Sequence, residues 1–164
     1  MKRVIYRVDD RLIHGQVVEG WINYYNIRNI ILVNDRIASD KMQRFIYESV
    51  VPAGKKLLIT TISEFLKKKP YKKIKKDRVL IILGSIADMY ALKELPDESS
   101  YINIGCVATE SRDIEITDTV YVDGNQLAML KEISACHDIF VHKVPWEMPV
   151  NIKGFDISSH GGNK

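Results

Sequence analysis

The stretch Arg3-Val-Ile-Tyr-Arg-Val8, running into Asp9-Asp10-Arg11-Leu12-Ile13-His14-Gly15-Gln16, decides how the chain is read. Its first six residues are β-branched or apolar apart from the arginines, and they stop at a turn-forming Asp9-Asp10 pair. Val17–Tyr25 then follows helical spacing, with Val17, Trp21 and Tyr24 on one stripe. The same strand-then-helix alternation recurs along the chain. Ile30–Val33 reads as a second strand stopped by Asn34-Asp35. Ser39 is the expected N-cap of a helix over Asp40–Val51, which Pro52-Ala53-Gly54 ends. Leu57–Thr60, Val79–Leu83, Tyr101–Ile104 and Ile139–Lys143 read as further strands. Ser63–Lys69, Ala87–Leu95 and Gln126–Cys136 read as helices, the last capped by Asn125. Ile114–Val122 reads as an extended segment interrupted at Thr117-Asp118-Thr119. Strands that are continuously apolar must be covered on both faces, which makes them parallel and joined by helices. The predicted fold is therefore an α/β single domain over residues 1–157. It holds a mostly parallel central sheet of about six to seven strands with helices on both faces. A Gly-rich tail, 158–164, is expected to be disordered.

Composition narrows the class. With 164 residues, 46% hydrophobic and 27% charged, the chain has the make-up of one ordinary soluble domain. No apolar run approaches the roughly 18 residues a membrane span needs. No apolar segment follows the basic N-terminus as a secretory signal would require. Two cysteines are too few for a disulfide framework, which favours a reducing, cytoplasmic setting. The formal net charge of +3 hides an asymmetry. Residues 67–76, KKKPYKKIKK, hold seven lysines and no acid, and without them the remainder carries a net −4. The basicity is thus one local segment, expected to be a solvated loop or helix end facing a membrane surface or an acidic partner. Nucleic acid is not the expected partner, because such surfaces interleave several aromatics and only Tyr71 lies within the run; a non-catalytic domain binding membrane or nucleic acid through Lys67–Lys76 stands as the alternative function.

In a parallel sheet, functional groups gather at the carboxyl ends of the strands. The loop Asp9–Gln16 places His14 there, just before a helix. Gly15 permits close backbone approach, and the opening helix directs N–H groups toward an anion. Arg11 offers a planar fork suited to phosphate oxygens. Asp9 or Asp10 could bond one imidazole nitrogen and leave the other nucleophilic. These are the parts needed to accept a phosphoryl group on histidine.

The string Arg7-Val-Asp-Asp-Arg-Leu-Ile-His14-Gly-Gln-Val17 resembles the active-site signature of the IIB component of the mannose/fructose/sorbose family of sugar phosphotransferase systems. The likeness extends to Val33-Asn34-Asp35, Pro52-Ala53-Gly54, Tyr101-Ile-Asn-Ile-Gly105 and Val144-Pro145. One departure is Cys106, where the family usually has a second Gly after Asn103-Ile104-Gly105. The resemblance implies a protein that takes phosphate from a phosphohistidine of a IIA component onto His14, on Nδ1. It then passes the phosphate to a sugar bound in a membrane-embedded IIC/IID complex, at whose inner face it would sit. By the same likeness His14 is catalytic, and Arg11, Arg7, Gly15 and Gln16 hold phosphate. Asp10 or Asp9 would orient the imidazole, with Asn34 and Asp35 as rim residues. No metal or organic cofactor is implied. The sugar and any homo-oligomeric state stay open.

Two other patterns compete. Cys106-Val-Ala-Thr-Glu-Ser-Arg112 has the C-x5-R spacing of cysteine-dependent phosphatases, but no Gly lies between Cys106 and Arg112 and Glu110 would repel phosphate. His137 and His142, five apart on an extended segment, point to opposite faces and so suit packing better than metal binding. Trp21 reads as core, and His160 lies in the tail.

Overall fold

The computed structural model describes residues 2–109, 111 and 113–156. Among them, the strands form a seven-stranded sheet in the order β3-β2-β4-β1-β5-β8-β9 and a separate two-stranded sheet, β6-β7. The strands are β1 (Val4–Asp9), β2 (Asn29–Val33), β3 (Lys56–Thr60), β4 (Val79–Leu83), β5 (Ser100–Cys106), β6 (Ile114–Thr117), β7 (Val120–Val122), β8 (Ile139–Val141) and β9 (Val150–Asn151). Pairings are parallel from β3 through β8, and β9 closes the edge antiparallel to β8. The mostly parallel sheet that the apolar runs predict is therefore present.

Period-two alternation divides the core. Val4, Tyr6 and Val8 enter one buried cluster with Phe65 of α4 (Ile62–Lys68), Met89 of α5 (Ile86–Ala91) and Leu130 of α6 (Gly124–Cys136). Ile5 enters the other, with Val17 of α1 (Gly15–Val17), Trp21 and Ile22 of a π-helical segment (Val18–Asn23), and Ile37 of α2 (Asp35–Ser39). The remaining helix, α3 (Lys41–Val50), carries its apolar stripe on an exposed face and buries no residue fully. Helices thus lie on both faces.

Several boundaries differ from the sequence reading, each for a local reason. Asn34 caps a short α2 that the pattern did not signal, and Asp40, rather than Ser39, caps α3 through Met42 and Gln43 N–H. Helix α6 begins at Gly124 because Asp123 and Gln126 form a reciprocal capping box, which displaces Asn125 from that role. Thr117-Asp118-Thr119 is a hairpin turn between β6 and β7 rather than an interruption. The expected tail lies outside the described residues.

The chain leaves β1 toward β2 on one side and leaves its neighbour β5 toward β8 on the other. Between two strands whose connections diverge, the carboxyl ends open a crevice, the switch point of an α/β sheet. The register slips there: Val8 pairs with Ile104, but Asp9 pairs with Cys106. Beyond that bulge Asp10 N–H donates to the Cys106 carbonyl, and the Asp10 side chain meets the loop after β5.

The capping box gives a direct test of the α6 boundary. Asp123→Ala should lower stability by about 1 kcal/mol, read by urea unfolding, while Asn125→Ala should change it by much less.

Candidate functional site

The site is built from the alternation of β1. Arg7 and Asp9 face the same side as Ile5, and both are fully buried, as is Asn103 on the paired position of β5. A buried charge requires a partner and hydrogen bonds. Arg7 Nη2 donates to Asp9 Oδ2 at 2.8 Å and to the Lys143 carbonyl at 3.1 Å, and Nη1 donates to Asn103 Oδ1. Asn103 Nδ2 in turn donates to the carbonyls of Phe140 and His142, tying the group to β8. The Trp21 ring covers the guanidinium, with Cζ 4.9 Å from its centroid, and its Nε1 donates to the Lys143 carbonyl at 3.0 Å. Burial pulls the Arg7 guanidinium below the usual arginine range, with Asp9 opposing the shift.

Asp9 distributes its carboxylate outward. Oδ2 lies 3.2 Å from His14 Nε2, and Oδ1 accepts the Arg11 backbone N–H at 3.1 Å. The turn that makes this possible places Leu12 at φ 57°, with Leu12 N–H donating to the Asp9 carbonyl at 3.0 Å. A non-glycine residue in that region costs on the order of 1–3 kcal/mol, and burying Leu12 in the second core cluster opposes the cost. The chain folds back so that His14 overhangs Asp9, with 21% of its side chain exposed. A carboxylate at Nε2 holds the proton on that nitrogen and leaves the Nδ1 lone pair available. Nδ1 has no hydrogen-bond partner among the described residues. His14 precedes α1 as its N-cap but makes no side-chain cap bond. A Cβ on Gly15 would meet nothing within 4 Å, so the approach to this turn is open.

The structure distributes the other sequence candidates unevenly. Arg11 lies at the mouth, 46% exposed, its Nη2 donating to Gln16 Oε1 at 2.8 Å. Gln16 holds Arg11 through its amide oxygen, and its side chain is exposed at the same mouth. Arg7, expected to hold phosphate, is buried beneath Trp21 with its charge directed at Asp9, so it supports the site from below. Asp10 does not reach the imidazole; its Oδ2 accepts the Ala108 N–H at 3.0 Å and pins the loop after β5. Asn34 caps α2 and, with Asp10, Arg36 and Ser85, lines a cleft of about 360 Å³ beside the site. Asp35 accepts the Ile62 N–H at 2.8 Å and fixes the start of α4.

Asp9, Asp10 and Cys106 bring their ligand atoms within 4.8 Å of one another. Each is already engaged: Asp9 by Arg7 and His14, and Asp10 by Ala108. Burial, reinforced by the Asp10 charge, pushes the Cys106 thiol up to about 11. A protonated thiol beside two carboxylates is the reverse of the activated thiolate the C-x5-R reading requires, and Arg112 lies outside the described residues. His142 is buried, with Nε2 2.9 Å from the Tyr101 hydroxyl and Nδ1 2.8 Å from the Val144 carbonyl, as a packing residue. His137 ends α6 at the opposite end of the sheet, and His160 lies outside the described residues.

Sequence reasoning missed Asn103 as a partner of Arg7, the Lys143 carbonyl as its second acceptor, and the Trp21 face as its cover. One signal was present. Arg7 and Asn103 are the polar residues midway along otherwise apolar runs, where a buried partner is obligatory.

Comparison with known proteins places the chain in the phosphotransferase class. Residues 3–161 match the family model described as PTS system sorbose subfamily IIB component, and the chain belongs to this family, the IIB components of sugar phosphotransferase systems. It is 27% identical over 129 residues to the mannose-specific EIIAB component of Escherichia coli K12, covering 79% of this chain and 40% of that protein. The chain thus spans less than half the length of that two-part relative. It is 28% identical over 134 residues to the fructose-specific EIIB component of Bacillus subtilis, covering 82% of each. In fold it is similar to an N-acetyl-galactosamine IIB component from Streptococcus pyogenes. That match has a TM-score of 0.81 and 22% identity, covering 94% of this chain and 98% of that one. No helix among the described residues is long and apolar enough to cross a membrane.

Gly105 is where the site is least tolerant. A Cβ there would overlap the Arg7 guanidinium. Gly105→Ala should destabilise the protein by about 1–3 kcal/mol in urea unfolding. It should also move the His14 imidazole resonances in NMR, because Asp9 loses its buried counter-charge. Gly15→Ala, which meets open space, should leave stability within about 0.5 kcal/mol.

Proposed function

We propose that the protein carries a phosphoryl group on His14 Nδ1, accepting it from the phosphohistidine of a IIA component and delivering it to a sugar held by membrane-embedded IIC/IID partners. The observation supporting this reading is the buried Arg7–Asp9 pair directed at His14 Nε2, with the other imidazole nitrogen unengaged among the described residues. In the first step the Nδ1 lone pair attacks phosphorus as the bond from phosphorus to the donor imidazole breaks. The donor leaves as a neutral ring, taking up a proton at its other nitrogen or from solvent. The Nε2 proton of His14 stays against Asp9 and offsets the charge that phosphorylation brings. In the second step a sugar hydroxyl attacks the same phosphorus, the N–P bond breaks, and the hydroxyl proton is released.

Arg11 is the guanidinium placed to meet the phosphoryl oxygens, since it lies at the mouth and is steadied by Gln16. Gly15 leaves room for the incoming donor. Asp10, Asn34 and Asp35 shape the surrounding loops.

Incubation with a phosphorylated IIA component should add one acid-labile phosphate to the protein, read by mass spectrometry. His14→Ala should abolish the gain, and Cys106→Ser should retain it. Arg11→Lys should slow transfer about tenfold or more while leaving urea stability near that of the parent, because a charge-assisted contact of roughly 1.5–3 kcal/mol loses its planar geometry. Undiminished labelling of His14→Ala would overturn the assignment.

A further inference from the structure

The lysine segment plays no part in the site, and the fold explains where it goes. A helix that follows a parallel strand runs back along it, so the carboxyl end of α4 lies at the amino ends of the strands. Lys67 and Lys68 occupy that end, and Pro70–Lys73 continue as a 3-10 turn before the loop into β4. Arg3, just before β1, fixes the position: its Nη1 donates to the Ile74 carbonyl at 2.5 Å, and its backbone carbonyl accepts from Val79. Asp9, under His14, ends the same strand. Six residues of β1 separate the two, roughly 20 Å. The lysines and the imidazole therefore occupy opposite poles.

Charge is uneven along this axis. Lys67, Lys68, Lys72, Lys73, Lys75 and Lys76 are all exposed, and of these Lys68 alone has an ion-pair partner among the described residues, Glu64. Lys55 and Lys56, at the start of β3, add to the same end, and together these lysines outweigh Asp77, Asp97, Glu98 and Asp138 there. The other pole is mixed, with Asp10, Asp35, Asp88 and Asp118 beside Arg11, Arg36 and Lys143. Two further features define what the basic pole suits. Tyr71, the aromatic of the run, is buried against Phe65 and Tyr6, so no ring within it is offered for base stacking. The cations are lysines, flexible point charges without the guanidinium fork that reads a fixed phosphate geometry. Leu66, 37% exposed, directly precedes Lys67 on α4, and Leu58, 43% exposed, lies on the edge strand β3. Diffuse mobile cations flanked by accessible aliphatic groups match a fluid anionic surface better than a shaped ligand.

We infer that the Lys67–Lys76 pole docks on the anionic headgroups of a lipid bilayer, leaving His14 facing away from that contact. Each lysine is attracted to the surface potential additively, so the association weakens with salt and with the number of lysines removed. These lysines lie at one end only, so the contact orients the bound molecule with that end toward the lipid. Docking would concentrate the carrier at the surface where a membrane-embedded partner resides and leave its His14 face open to the phosphoryl donor, and delivery to that partner would follow release from the lipid, which weak additive contacts allow.

The test is cosedimentation of the full chain with vesicles of phosphatidylcholine alone or with 30% phosphatidylglycerol, at low and near-physiological salt, in which the 30% is a chosen condition of roughly natural anionic content. Binding should require the anionic lipid, should fall with salt, and should drop by at least tenfold when Lys67, Lys68, Lys72, Lys73, Lys75 and Lys76 are all changed to Gln. Phosphate labelling of that variant by phosphorylated IIA in solution should equal the parent's, so this inference and the carrier reading fail separately. Circular dichroism of the variant checks that it folds. Equal sedimentation with neutral vesicles, or anionic binding unaffected by the six changes, would overturn the inference. So would tighter lysine-dependent binding to a duplex oligonucleotide than to the anionic vesicles at the same salt, which would assign the pole to nucleic acid.

Discussion

A buried guanidinium facing a buried carboxylate is the constraint around which the active end of this protein is arranged. Neither Arg7 nor Asp9 could occupy the interior alone, since an unpaired charge there costs several kcal/mol. Together they account for much of the surrounding detail. Asn103 occupies the paired position on β5, Gly105 lacks a side chain where the guanidinium lies, and Trp21 covers the pair with its ring. Beyond the bulge between Val8 and Asp9 the carboxylate accepts the Arg11 N–H and lies against His14. The exposed imidazole is thereby referred to the sheet itself through one carboxylate, and not to the flexibility of the loop that carries it.

How much of this was legible in the sequence can be judged residue by residue. Continuous apolar runs such as Val79–Leu83 disclosed the parallel sheet because burial on both faces leaves no other composition. The loop Asp9–Gln16 disclosed His14 because a polar cluster after such a strand falls at the carboxyl edge. Resemblance to a family, carried by Arg7–Val17, supplied the partners that no periodicity could. The role of Arg7 was only half legible. Its place midway along an apolar run signals a buried partner, but an arginine four positions from another, in a strand leading to a histidine, also reads as an anion ligand, and the pairing of β1 with β5 decides for the inward face. Capping residues were misplaced by one or two positions at Ser39 and Asn125, where several side chains able to accept an N–H stand side by side and backbone angles choose between them. The short α2 was invisible because five residues hold too little periodicity.

The site and the basic pole divide one small molecule into two ends with different chemistry. At one, a single imidazole is oriented through a network of fixed bonds. At the other, mobile cations are unconstrained in geometry. The parallel strands β1 to β5 and β8 produce this division, since each begins at the lysine end and finishes at the histidine end.

The segment Val18–Asn23 winds as a π-helix, one residue wider per turn than the α-helix that leads into it. Winding the same six residues as a regular α-helix would turn the chain further at each residue and so rotate Trp21 about the helix axis relative to Val17. The indole of Trp21 would then leave the arginine it covers, and water could reach the charge beneath. The spacing of the chain in that stretch, and not only the identity of its residues, thus keeps the floor of the histidine pocket dry.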